Sequence, residues 1–182
     1  MQRARDLGDA VIDPRTLLVE PPLHGSLLHG WSPDFVATEE RASGDRAALT
    51  EAGVSLDPRL EVCGEFDTIQ GRAAAAALLD LPERPTAIFA CNDDMAVGVL
   101  QEARARELRV PEDLSVVGFD DSTIARIALP AITTVRQPLE EIGRMAATLL
   151  TRMIEGQKVD PVRLEMGARL VVRDSTAPVQ RG

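Results

Sequence analysis

The sequence predicts an α/β protein built on a parallel sheet with flanking helices. Two short, unbroken apolar runs, Thr86–Ala90 and Leu114–Phe119, each end in a polar cluster, Asn92-Asp93-Asp94 and Asp120-Asp121. Runs of that length and composition suit strands buried on both faces, as parallel strands are. Helix-period segments lie between them, so the elements alternate α, β, α, β, α, β, which implies right-handed crossovers. The composition agrees: of 182 residues 45% are apolar but only 3% aromatic, with no Tyr, so the core is expected to be Ala, Val, Leu and Ile.

Residues 1–32 read as irregular. Leu17-Leu18-Val19 is a candidate short strand, but Pro21-Pro22, Gly25, Gly30 and Pro33 punctuate the stretch after it. His24 and His29 have no third ligand candidate near them, and Trp31 reads as a packing or surface residue. Regular patterning starts at Thr38, a good N-cap, with Glu39 and Glu40 placed to complement the helix dipole. This helix is expected to run to about Ala52 and to stop at Gly53. Leu60–Cys63 reads as a short strand. Asp67 or Thr68 then caps a helix through the alanine run Ala73–Ala77, whose small side chains permit close packing. After the Thr86–Ala90 strand a helix is expected from Asp94 to about Glu107, and after Leu114–Phe119 a short extended segment at Ile132–Val135. Pro138 opens a further helix, with Leu139, Ile142, Ala146, Leu149, Leu150 and Met153 on one face and Gly156 at its end. Arg163–Arg173 reads as one or two terminal strands, and residues 177–182 as a tail.

Charge and cysteine content exclude several functions. With 20 basic and 29 acidic side chains the formal charge is −9, a poor balance for neutralising a phosphate backbone, and no dense Lys/Arg run is present. Cys63 and Cys91 are too few for a disulfide framework or a Cys-rich zinc site and read as free thiols in a reducing compartment. No apolar stretch approaches the ~20 residues that span a bilayer, and the N-terminus lacks a signal-peptide pattern. The expected location is cytoplasmic, without a membrane partner.

In open parallel sheets, ligands bind beyond the carboxyl ends of the strands, where both polar clusters fall. Asn offers a donor and an acceptor, and a carboxylate accepts two hydrogen bonds, a combination that suits vicinal sugar hydroxyls or a base edge. The same residues also serve as helix caps, and the two roles can coexist. Asp93, Asp94, Asp120 and Asp121 could instead hold Mg²⁺ for a hydrolase. No P-loop, Gly-x-Ser-x-Gly, His-Glu-x-x-His or dinucleotide fingerprint occurs, so no catalytic residue, metal site or cofactor is expected.

Several collinear segments resemble the effector-sensing domain of the lactose/galactose repressor (LacI/GalR) family. They are Glu40–Leu49, Arg84–Gly98, Val110–Asp121, Pro130–Pro138 and Leu170–Thr176, and the resemblance as a whole spans about residues 33–176. The resemblance implies a periplasmic-binding-protein-like fold of type I, two α/β lobes around a cleft joined by crossover segments, of which this chain holds mainly the C-terminal lobe. It implies that the helix-turn-helix, the hinge and most of the N-terminal lobe are absent, so that the chain is N-terminally truncated and DNA is a partner only of a full-length parent. It also implies that Arg41, Phe66, Asn92, Asp120 and Gln137 contact a small effector, usually a sugar or nucleoside. Arg41 supplies a fork of donors, Phe66 a stacking face, and the others hydrogen bonds. Asp121 is then the expected cap of the short helix at Ser122.

The function so implied is effector binding and dimerisation in a transcription regulator, not catalysis. A sugar-binding transporter component is the alternative within binding proteins, disfavoured by the missing signal peptide and by Thr133–Pro138. Homodimer contacts are expected from the helix Asp94–Glu107, through Met95, Val99 and Leu100, and from Ser122–Leu129.

Overall fold

A computed structural model describes residues 25–30, 36–51, 53–54, 57–159 and 166–178. The candidate strand at Leu17–Val19, His24 and Trp31 lie outside them. The described elements are β1 (Gly25–Gly30), α1 (Val36–Glu51), β2 (Glu61–Gly64), α2 (Thr68–Leu79), β3 (Ala87–Ala90), α3 (Asp93–Ala105), β4 (Ser115–Phe119), α4 (Thr123–Ile127), β5 (Thr133–Arg136), α5 (Leu139–Ile154) and β6 (Arg169–Val171). One six-stranded sheet takes the order β2-β1-β3-β4-β5-β6. Its first four pairings are parallel, and β6 joins the β5 edge antiparallel.

The expected α/β fold and its parallel strands are therefore present, and β3 and β4 are adjacent, Ile88 opposite Val116. β1 corrects the reading of residues 1–32 as irregular, and it lies before the expected domain start at residue 33. Gly25 and Gly30 mark the two ends of this strand rather than breaks in a loop. It is stabilised by backbone pairing on both sides, to β2 and to β3. A six-residue segment between glycines carries little of that in its own sequence.

Side chains along β3 alternate faces, as a strand requires. Ile88 and Ala90 join the main core with Leu78 of α2, Met95 and Val99 of α3, Val116 of β4, and Ile132. Phe89 and Cys91 face the other way, onto Ala42 of α1. The sheet thus separates α2 and α3 from α1. Burying a side chain of the size of Ile88, Leu78 or Met95 contributes about 1.5–3 kcal/mol each. The alanine run lets α2 lie close to α3. A Cβ on Gly98 would stand 2.4 Å from the Thr68 carbonyl oxygen, and one on Gly71 2.6 Å from Met95 Cα, so glycine is required at both positions.

Boundary residues mostly behave as expected. Asp67 caps α2 through a bond from the Gln70 N–H at 2.8 Å, and Gly53 and Gly156 adopt φ of +72° and +74°. One expectation is corrected. Met95, Val99 and Leu100 are core residues, none more than 9% exposed, and offer no surface to a partner. The apolar stripe of α5 is uncovered among the described residues: no α5 side chain is buried, and Leu139, Leu150 and Met153 are 57–60% exposed.

Candidate functional site at the carboxyl ends of the strands

The loops after β2, β3, β4 and β5 meet at one end of the sheet, and the five sequence-predicted residues come together there. Arg41, in the second turn of α1, is the centre. Its guanidinium lies 3.9 Å from the centroid of the Phe119 ring, a cation–π arrangement. One nitrogen donates to the Cys91 carbonyl at 2.6 Å, and another stands 4.0 Å from the Asp120 carboxylate. Asp120 accepts a bond from the Gln137 amide at 2.8 Å. Phe66 is 37% exposed on the loop between β2 and α2.

Asn92 has a different occupation. Its side-chain oxygen caps α3 by accepting from the Met95 N–H at 2.8 Å, and its amide donates to the Phe66 carbonyl at 3.1 Å. Asn92 is only 9% exposed. It therefore fixes the Phe66 loop against the start of α3, and the cap reading of the cluster holds for this residue.

The two adjacent aspartates divide their roles sharply. Both have left-handed backbones, with φ of 105° at Asp120 and 53° at Asp121. The second lies in the left-handed well that Asp tolerates; the first is well outside it and is held by its N–H bond to the Val135 carbonyl at 2.8 Å. Asp120 leaves its carboxylate half-exposed at the site. Asp121 turns inward, its side chain 2% exposed, and accepts from Arg136 and from Arg173. Burial pushes its carboxyl up, and the bonds from Arg173 and Arg136 more than reverse this, so it ends below the usual carboxylate range.

The expectation that Asp121 caps α4 is thereby corrected. The Ser122 N–H instead donates to Asp93 at 2.7 Å, across from the preceding loop. Asp93 is 1% exposed and also accepts from the Thr134 hydroxyl at 2.6 Å, tying the segments that follow β3 and β4 to β5. Burial outweighs these bonds and raises its pKa. Sequence reasoning placed Asp93 in the polar cluster but not in this buried role, and it missed Arg136 and Arg173. Arg173 lies 52 residues from Asp121, and nothing local marks the pairing.

The Mg²⁺-hydrolase reading fails on the same geometry. Asp93 and Asp121 are consumed by donors of this chain, and Asp94 faces solvent. What remains accessible is the Asp120 carboxylate and the Gln137 amide, next to an Arg41 guanidinium that is 18% exposed, groups suited to a neutral ligand rich in hydroxyls. An open cavity of about 650 Å³ adjoins them on the α5 side, bordered by Asp120, Arg136, Gln137 and Leu139. Arg41, Phe66 and Asn92 lie outside its lining.

The periplasmic binding protein-like domain family matches residues 28–176. The regulator CelR of Thermobifida fusca is 45% identical over 142 residues, which is 78% of this chain and 42% of that protein. The repressor CytR of Escherichia coli (strain K12) is 41% identical over 136 residues, 75% of this chain and 40% of that protein. The chain thus spans about two-fifths of the length of these curated relatives. Among solved structures, a CelR–cellobiose complex superposes with a TM-score of 0.78 at 43% identity, over 83% of this chain and 46% of that one. A dimeric Lac repressor gives 0.80 at 28% identity, over 91% and 58%. These relatives are transcription regulators, not enzymes.

The contrast between neighbouring carboxylates gives a direct test. Asp120→Asn keeps a side chain that tolerates positive φ and changes only a half-exposed group, so urea denaturation should show a loss below about 1 kcal/mol. Asp121→Asn leaves two arginines facing a neutral group and should cost about 3–5 kcal/mol. Equal losses at the two positions would refute the division of roles.

Proposed function

The chain belongs to the periplasmic-binding-protein-like, effector-sensing family of LacI/GalR-type regulators, and we propose that it forms one wall of a cleft that recognises a sugar effector. The convergence of Asp120, Gln137 and Arg41, with the exposed Phe66 on the neighbouring loop that Asn92 holds, carries this reading. Asp120 accepts from ligand hydroxyls, Gln137 and Arg41 donate to ring and hydroxyl oxygens, and Phe66 stacks on an apolar sugar face. Asn92 acts mainly by holding the Phe66 loop. The uncovered stripe of α5 fits a helix that crosses to a second lobe. The formal charge of −9 leaves operator recognition to another part of such a regulator, and its place of action is the cytoplasm.

Cellobiose, the ligand named for one solved relative, is the first probe. In an NMR titration of the 182-residue chain, it should move the resonances of Asp120, Gln137 and the Phe66 loop. Asp120→Asn should weaken the binding about ten- to hundredfold, the loss of one charge-assisted bond. Glucose and ribose, run in parallel, rank the sugar classes. If none of the three perturbs these residues at millimolar concentration, the sugar reading is wrong.

Self-association is the second part of the proposal. With Met95, Val99 and Leu100 buried, the contact falls to Ile127 and Leu129, which are 71% and 94% exposed beside α4. Sedimentation at high micromolar concentration should show a dimer that Leu129→Asp dissociates. A monomer throughout, or a dimer indifferent to Leu129→Asp, would count against it.

A further inference from the structure

Two chain segments leave the sheet at its β5–β6 end. One is the exit from β5, where Arg136-Gln137-Pro138 leads into α5. The other is the run after β6, where Arg173 comes just after the antiparallel strand. A single carboxylate holds both. Asp121 receives the Arg136 guanidinium on one oxygen and the Arg173 guanidinium on the other. Arg173 is fixed further, by its second guanidinium nitrogen on the Ile132 carbonyl at 2.7 Å and its N–H on the Thr133 hydroxyl at 2.9 Å. Arg136 is the last residue of β5 and its backbone pairs with Arg169 of β6, but its side chain has no other bond of that kind among the described residues, so Asp121 is what holds its guanidinium. The next residue is Gln137, whose amide reaches Asp120. Beyond it, α5 buries no side chain and gains little direction from packing.

We propose that Asp121 is a positioning residue: through Arg136 it fixes the angle at which the β5 exit leaves the sheet, and so sets where Gln137 and α5 stand. The two arms are unequal. Arg173 is anchored independently of Asp121, so its own segment stays in place without the carboxylate. The Arg136 guanidinium has Asp121 alone, and the strand pairing ends at Arg136, so the β5 exit and α5 are what the carboxylate controls. This role does not depend on which ligand the site takes, or on whether it takes one.

The test measures the spread of α5 positions in the folded chain. Spin labels go on Arg104→Cys in α3 and Arg152→Cys in α5, both exposed, with Cys63→Ser to remove the exposed native thiol. Pulsed electron–electron distance measurements at low temperature should give a clearly wider distribution for Asp121→Asn and for Arg136→Gln than for the parent. Arg173→Gln should leave it near the parent, as should Asp113→Asn, which removes a remote surface pair with Arg109. A purely structural carboxylate would lower the melting temperature without widening the folded-state distribution. If Asp121→Asn does not fold, Arg136→Gln decides alone, because that side chain is partly exposed. An unchanged distribution in folded Arg136→Gln, or equal widening in Arg173→Gln or Asp113→Asn, overturns the proposal.

Discussion

The buried carboxylate of Asp121 is the constraint on which the site end of this molecule depends. A charged group with 2% of its side chain exposed is stable only when its oxygens are filled by donors, and here Arg136 and Arg173 fill them. Satisfying Asp121 draws the exit of β5 and the segment after β6 onto the loop after β4. That loop then presents the adjacent Asp120 outward, at a backbone conformation that Asp rarely adopts. One buried ion cluster thus ties these chain paths together beside the accessible pair Asp120 and Gln137.

Asp93 performs a related task one loop earlier. By accepting from the Ser122 N–H and the Thr134 hydroxyl it ties the segments that follow β3 and β4 to β5. Gly118 is part of this arrangement, since a Cβ there would stand 2.4 Å from the Asp93 carboxylate. Asn92 completes the layer by capping α3 and holding the Phe66 loop. The polar residues beyond the strands therefore form two tiers. A buried tier of Asp93, Asp121 and their donors builds the platform, an accessible tier of Phe66, Asp120 and Gln137 lies above it, and Arg41, 18% exposed, stands between the two.

Strands β3 and β4 are legible in the sequence because a parallel strand is buried on both faces and shows as an unbroken apolar run. The helices are legible from their caps and periodicity. β1 is not, because its stability comes from backbone pairing to two neighbours rather than from its own short composition. The division between the two tiers is equally hidden. Asn92-Asp93-Asp94 and Asp120-Asp121 look alike in one dimension, and what separates their members is the direction in which each side chain leaves the strand end. The arginines that neutralise Asp121 arrive from 15 and 52 residues away, and only folding identifies them. The expected dimer face on α3 fails for a related reason: α3 lies against α2 and the sheet, so the apolar side chains that helical spacing offers to a partner are spent on the core.

The most direct measurement of the central claim is a double-mutant cycle on the ion cluster, following unfolding free energy for Asp121→Asn, Arg173→Gln and the pair. If one carboxylate is shared as described, the two losses are strongly non-additive, with a coupling well above the ~0.3–0.5 kcal/mol within which independent sites add. Losses that sum within that margin would mean that Asp121 and Arg173 do not act on each other, and that something else holds the ends of these strands together.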